Sequence, residues 1–185
     1  ATLAQVTQKD EDDLDGILDQ AIRGGYLVEE GLRAGAEFGF SSSGLRQAIY
    51  DGMSKRRRMR AHKATAEVLE DRLRSPHRRG RPSPGALAHH RLALGEWDQA
   101  FQSSLDGARE ALKRQDHALA RTLIAQAQQA QQALEGEGHS LAPGGQVAFD
   151  QLGGELDVRL GRFRDARRRL ERVLEHTEVG HPSRM

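Results

Sequence analysis

The residues with the clearest capacity for chemistry form a basic run near the middle of the chain. Between Lys55 and Arg81, eleven lysines or arginines stand against three acids. The basic patch at its start comprises Lys55, Arg56, Arg57, Arg58, Arg60 and Lys63. Such a segment can hold phosphates, contact an acidic partner surface, or simply be solvated. Along a nucleic-acid backbone, each phosphate contact would add salt dependence to binding.

Acidic residues concentrate near the start of the chain. The segment from Asp10 to Asp19 carries no base and holds Asp10, Glu11, Asp12, Asp13, Asp15 and Asp19. These carboxylates are spread around a predicted helix with no paired base, which a general acid–base site would require. We therefore interpret them as a solvated face.

No motif of a metal site or a nucleotide site is found. His89 and His90 are adjacent, so on a helix they point about 100° apart, and no His-x-x-x-His pair occurs. The chain lacks Gly-x-x-x-x-Gly-Lys-Ser/Thr and has no cysteine, which excludes thiolate catalysis and disulfides. We expect no catalytic residue, no metal and no cofactor, and interpret the chain as a non-enzyme, although a parent protein could be an ATPase, kinase or cyclase.

Composition favours a polar, helical protein. The chain has 185 residues, 37 % apolar and 4 % aromatic, with a mean hydropathy of −0.70. This length suits one domain or two small ones. No apolar run approaches the roughly 20 residues of a membrane span, and no signal segment opens the chain. We expect a cytoplasmic location without membrane contact.

The first part of the chain, 1–53, has the outline of a winged helix. An amphipathic helix is predicted over Asp10–Arg23, and a β-hairpin joins Tyr26–Glu30 to Glu37–Phe40 through a Gly-bearing loop. Ser41 to Ser43 can cap the next helix. Because a full winged helix needs further helices before the first one here, we expect a remnant trimmed at its N-terminus.

A basic connecting helix and a linker occupy 54–85. The helix is predicted from about Ser54 to Leu73, with an apolar stripe of Ala61, Thr65, Val68, Leu69 and Leu73. Arg74 to Gly85 is rich in proline, glycine and arginine, which marks a boundary. Helical repeats are predicted over 86–178, and 179–185 is a polar tail.

Two helix–helix turns match one another. Leu94-Gly95-Glu96-Trp97-Asp98-Gln99-Ala100 aligns with Leu160-Gly161-Arg162-Phe163-Arg164-Asp165-Ala166. Glycine lets the first helix end, the aromatic residue is expected to wedge between helices in the core, and alanine allows close packing. The pattern resembles the tetratricopeptide repeat, a helix–turn–helix unit of about 34 residues that stacks into an α-solenoid. The predicted fold is mainly α: a partial winged helix with one β-hairpin, then a short tetratricopeptide-like α-solenoid.

An ordered set of motifs resembles a known class of signalling protein. These are Phe38-Gly39-Phe40-Ser41, Leu45-Arg46-Gln47-Ala48-Ile49-Tyr50, Arg57-Arg58, His62, Ala66, Leu69, and His89-His90 before Gly95. The set is similar to the region after the nucleotide domain of bacterial STAND-type signalling ATPases, including transcriptional activators, cyclases and multidomain kinases. Ser42 stands where that class often has histidine. The resemblance implies a regulatory arm whose ATPase part would lie upstream of Ala1, with repeats that sense a partner.

The leading hypothesis is therefore a protein-interaction module whose partner is a protein, a peptide or the parent's own ATPase or kinase domain. In the repeat family the first helix of each pair lines the concave face, which implies partner contacts through His89, Leu92, Gln151, Glu155 and Arg159. The alternative is a nucleic-acid-binding module that uses the basic patch and the hairpin. Against it, the helix that should enter the groove, Asp10–Arg23, is acidic.

Overall fold

The computed structural model describes residues 2–30, 37–75 and 82–179. Within these ranges the chain is mainly helical, with one two-stranded antiparallel sheet. The hairpin loop at 31–36, half of the predicted linker (76–81) and nearly all of the predicted tail lie outside the described residues. The elements in chain order are α1 (Thr2–Thr7), α2 (Glu11–Arg23), β1 (Leu27–Glu30), β2 (Glu37–Phe40), α3 (Ser43–Gly52), α4 (Lys55–Arg74), α5 (Pro84–Leu94), α6 (Trp97–Lys113), α7 (His117–Gly136), α8 (Pro143–Arg159) and α9 (Phe163–Val179).

The chain forms two compact units, Ala1–Val68 and Leu69–Met185. The division falls within α4, whereas the sequence analysis placed its boundaries before residue 54 and after residue 85. In the described residues no helix has both the length and the apolar character needed to cross a lipid bilayer.

Local capping defines the helices of the first unit. The Asp10 side chain accepts a hydrogen bond from the Asp12 amide, and the Ser42 hydroxyl accepts one from the Leu45 amide, so α2 and α3 begin where the sequence offers capping residues. In the hairpin, Leu27 lies opposite Phe40 and Glu30 opposite Glu37. The short helix α1 is absent from the sequence prediction because six residues are too few to display a helical period.

The buried face of α4 differs from the predicted stripe. Ala61, expected to be apolar core, is exposed, whereas the neighbouring His62 is 6 % exposed. Buried positions continue at Ala66 and Leu69, one helical turn apart. The predicted stripe is therefore wrong at Ala61 and right at Leu69, because it counted apolar residues, while a histidine with a hydrogen-bond partner occupies the first buried position.

The second unit holds the main hydrophobic core. Helices α5, α6 and α7 pack on one another, α8 packs on α6, α7 and α9, and α9 packs on α8. The Ala/Gln-rich tract 125–134 lies within α7, as suits two residues that both favour helix. The core is built mostly from alanine and leucine, with Phe101 and Phe149 as its aromatic members, 6.1 Å apart between ring centroids. Alanine-rich faces explain how helices with few aromatic residues can still pack closely.

Glycines allow close helix contacts in this unit. A Cβ on Gly107 of α6 would lie 2.6 Å from the Gly85 backbone of α5. On α8, a Cβ at Gly153 would lie 2.6 Å from the Arg169 guanidinium, and one at Gly154 would lie 3.1 Å from Leu170. Each spacing is shorter than ordinary van der Waals contact, so these positions set the α5–α6 and α8–α9 distances.

The two matching turns have the same backbone conformation but bury their aromatic residues differently. Gly95 and Gly161 have φ of 77° and 72°, and Ala100 and Ala166 are both buried. Trp97 is half-buried, whereas Phe163 is 69 % exposed. The prediction that Phe163 is a core wedge is therefore wrong: among the described elements α9 packs mainly on α8, and that contact leaves the Phe163 ring uncovered.

Candidate functional site

The basic patch lies on the N-terminal half of α4. Arg58 is half-buried, with its guanidinium 5.1 Å from the Tyr50 ring centroid and 3.9 Å from the Asp51 carboxylate. The other five members are exposed, and no ion pair is found for them within the described part of the chain: Lys55, Arg56, Arg57, Arg60 and Lys63. Most of the patch is thus available to an anionic partner.

A cleft of about 760 Å³ runs beside this patch in the first unit. We call it the α4 cleft; its lining residues are Val6, Thr7, Gln8, Met53, Arg57, Arg60, Ala61, Lys63, Ala64 and Glu67. Its walls combine three cations and one carboxylate, that of Glu67, with polar, small or apolar side chains. Sequence analysis missed it because one wall comes from α1 and the residue after it, which no sequence pattern marks.

A hydrogen bond between Tyr50 and His62 positions α4 against α3. The Tyr50 Oη atom lies 2.9 Å from His62 Nε2, and the two rings meet edge to face. His62 is buried beside the patch, and its bond to Tyr50 helps to hold the helix that carries the arginines.

The predicted partner-binding residues lie on two helices. His89 is exposed on α5, while Leu92 is half-buried against the core and offers only part of its side chain. On α8, Gln151, Glu155 and Arg159 recur every four residues and so share one face. The three α8 residues form a single row. The two α5 residues lie on a different helix and are not part of that row.

Arg159 anchors that row. Its Nη1 donates to the Leu112 carbonyl oxygen at 2.9 Å, at the C-terminal end of α6, and its Nη2 donates to Glu155 at 2.5 Å. A cation at a helix C-terminus also complements the helix dipole. Val158, on the same face, is 46 % exposed. We call Gln151, Glu155, Val158 and Arg159 the α8 row.

The opposite side of α8 contains a buried ion-pair network that sequence analysis missed. Asp150 is fully buried and accepts hydrogen bonds from Arg172 at 2.5 and 3.2 Å and from Gln146 at 2.8 Å. Asp157, seven residues on, accepts from Arg169 at 3.2 Å. The available signal was the i, i+7 spacing of the two aspartates, which places them on one face of α8.

Electrostatics keep Asp150 ionised despite its burial. Burial acts to raise the pKa of this carboxyl, but the hydrogen bonds from Arg172 and Gln146, with the charges of Arg172 and Arg169, outweigh it and leave the pKa below its ordinary value. The bond to Asp150 raises the pKa of Arg172 in turn. The network joins α9 to α8, and we assign it a structural role because its charged groups bond to one another.

Hydrogen bonds extend the network to a third helix. Gln131 of α7 donates to Gln146 at 3.0 Å and to Glu135 at 2.9 Å. Gln146 in turn donates to Asp150. A groove of about 300 Å³ follows these residues and is lined mainly by glutamine and charged side chains. Amides joined in series fix the relative register of α7, α8 and α9.

Trp97 lines a separate pocket of about 230 Å³ between α6 and the end of α7. Its Nε1 donates to Glu137 at 2.7 Å.

No group of three or more histidine and carboxylate side chains that could hold a metal ion is found in the described ranges. Comparison of the chain with protein-family models, with curated proteins and with solved structures finds no match.

Proposed function

We propose that this chain is a non-catalytic protein-interaction and regulatory module within a larger bacterial signalling ATPase, kinase, cyclase or transcriptional activator. The observation that carries the proposal is the α8 row. One side of α8 is fixed in the core by Leu152 and Leu156, while the row presents an amide, a carboxylate and an uncovered valine. Apolar and hydrogen-bonding groups on a rigid support are what a protein partner recognises.

The architecture of the proposed module is a winged-helix remnant followed by tetratricopeptide-like repeats. The order α2, β1, β2, α3 supports the first part. The matched turns at Gly95 and Gly161, each followed by a buried alanine, support the second. In this proposal the module acts in the cytoplasm and binds a protein, a peptide or the parent's own ATPase or kinase domain.

Capture from source-cell lysate tests the proposal. The immobilised chain would be compared with a Gln151→Ala, Glu155→Ala, Val158→Ala variant, after nuclease treatment, and bound proteins identified by mass spectrometry. A matched control replaces three exposed residues of α7: Arg121→Ala, Leu119→Ala and Gln129→Ala. We expect a discrete protein that the wild type and the control retain and the α8 variant loses. If the α8 variant retains the same proteins as the wild type, the assignment of the α8 row as the partner-binding surface is wrong.

A second candidate function is nucleic-acid binding through the basic patch and the hairpin. The observation in its favour is the set of five exposed cations on α4. The acidic first turn of α2 opposes it, because phosphates repel a carboxylate-rich recognition helix.

Fluorescence anisotropy with labelled duplex DNA and RNA tests this second function. Nucleic-acid binding predicts affinity that falls steeply with salt and is lost in Arg56→Glu, Arg57→Glu, Arg58→Glu. The control reverses three arginines of α9, Arg164→Glu, Arg167→Glu and Arg168→Glu, at equal change in net charge. Equal binding by both variants, or none by the wild type, would exclude the patch as a nucleic-acid interface.

A further inference from the structure

We propose that the α4 cleft is the docking site for the acidic helix α2 of a second copy of this chain, so that two copies pair reciprocally. This self-association uses the first unit and does not depend on the α8 row. The argument rests on unpaired charge in the cleft, on a matching pattern in α2, and on the placement of both surfaces around α1.

The cleft presents cations that the described residues leave without counter-ions. Arg57, Arg60 and Lys63 line it and are exposed, with no ion pair within the described ranges. Between them lie Ala61 and Ala64, whose small side chains leave room for a second helix, while Val6 and Met53 supply apolar surface. The lining carries three cations against one acid, Glu67, so its net charge favours a helix with acids on one face as the occupant.

Helix α2 has that face. Asp12, Asp15 and Asp19 are exposed, lie on one side of the helix at spacings of three and seven, and form no ion pair in the part of the chain described. At about 1.5 Å per residue, they stand at about 0, 4.5 and 10.5 Å along the axis. Arg57, Arg60 and Lys63 stand at about 0, 4.5 and 9 Å. The three carboxylates can therefore meet the three cations in register.

Gly16 gives the acidic face a site of close approach. It lies between Asp12 and Asp19 on that side of α2, and a Cβ built on it meets no atom within 4 Å. Glycine inside a helix is destabilising relative to alanine, and nothing within the unit needs the space. A bare backbone flanked by acids allows a basic helix to pack closely against α2.

The positions of the two surfaces allow a closed pair. Helix α1 contacts α2, and Val6 and Thr7 at its end line the α4 cleft. Helix α2 and the α4 cleft therefore both adjoin α1. In a two-fold arrangement each copy inserts its α2 into the other's cleft, both surfaces are used at once, and association stops at the dimer.

Sedimentation velocity of the nuclease-treated chain tests this pairing, at about 100 µM protein in about 50 mM and 500 mM salt. We expect a dimer at low salt whose dissociation constant rises about tenfold or more at high salt. An acid-reversed variant (Asp12→Lys, Asp15→Lys, Asp19→Lys) and a base-reversed variant (Arg57→Glu, Arg60→Glu, Lys63→Glu) should each be monomeric. Mixed in equal amounts they should form a heterodimer, since each α2 then meets a cleft of opposite charge.

Two further variants isolate the interface from general charge and from folding. Asp98→Lys, Asp106→Lys, Glu175→Lys reverses three exposed acids of the second unit and should still dimerise. Gly16→Leu places a side chain where no atom of the unit stands, so the helix should stay folded by circular dichroism while dimerisation is lost.

A wild type that stays monomeric at low salt would overturn the proposal, as would a dimer indifferent to Gly16→Leu. If the mixed variants remain monomeric although both are folded, α2 is not the occupant. A monomeric wild type that binds labelled duplex DNA through Arg57 and Arg60 would assign the cleft to nucleic acid instead.

Discussion

Arg172 donates two hydrogen bonds to Asp150, whose side chain is fully buried, and this pair joins α9 to α8. Arg172 itself stays 46 % exposed at its side chain, so one partner is desolvated and the other is not. The carboxylate depends on its donors, whereas the guanidinium can return to water. Removing the acid and removing the base should therefore have different costs.

Asp150→Asn should destabilise the second unit by about 2 kcal/mol, because weaker hydrogen bonds to a neutral amide replace the charge-assisted bonds between Arg172 and the buried carboxylate. Glu171→Gln, which breaks the exposed pair with Arg167, should cost less than about 1 kcal/mol. Urea unfolding followed by fluorescence of Trp97, the single tryptophan, measures both values. Equal costs would show that Asp150 contributes no more than a surface pair.

The contribution of Asp150 should depend on pH in one direction. Its pKa is lower in the folded state, so the stabilisation is present above the unfolded pKa of about 3.9 and is lost as pH falls through the folded value. The stability difference between wild type and Asp150→Asn should be constant between about pH 5 and pH 7 and shrink below about pH 4. A difference that grows on acidification would contradict the assigned ionisation.

Tyr50→Phe should destabilise the first unit by about 1 kcal/mol, because it removes the hydroxyl partner of the buried His62. Tyr26→Phe is the matched control, since Tyr26 is 54 % exposed and its hydroxyl has no bond within the described residues. Thermal unfolding followed by circular dichroism compares the two. Identical melting curves for both variants would show that the Tyr50–His62 bond does not help to position α4.

Gly107→Ala should destabilise the second unit by about 1–3 kcal/mol even though alanine favours helix formation. The added methyl meets the Gly85 backbone, which cannot rotate aside as a side chain could. Gly136→Ala, where a Cβ meets nothing within 4 Å, should be neutral or slightly stabilising. A neutral Gly107→Ala would show that α5 and α6 can separate at no cost.

Phe163→Ala should cost less than about 1 kcal/mol, whereas Phe101→Ala should cost about 3–5 kcal/mol. Phe163 is 69 % exposed and Phe101 is fully buried, although both are phenylalanines of adjoining helical hairpins. Urea unfolding of both variants checks the contrast. A large loss for Phe163→Ala would mean that its ring is covered in solution.

Local sequence signals determined most of the helices. The helix predicted from Asp10 to Arg23 agrees with α2 to within one residue, because an apolar period and a capping residue mark it. The hairpin strands were predicted from two β-favouring runs around a Gly-bearing loop. The turns at Gly95 and Gly161 were predicted because only glycine takes a positive φ readily.

Tertiary structure decided the charges and the exposed faces. Asp150 and Asp157 read as ordinary polar positions of a helix, and their burial follows from the placement of Arg169 and Arg172 on α9. Phe163 reads like Trp97, yet its exposure depends on which helices pack around it. The α4 cleft arises where α1 lies beside α4. Local sequence carries period and capping, whereas burial of a charge and the walls of a cleft depend on segments distant in the chain, which only packing brings together.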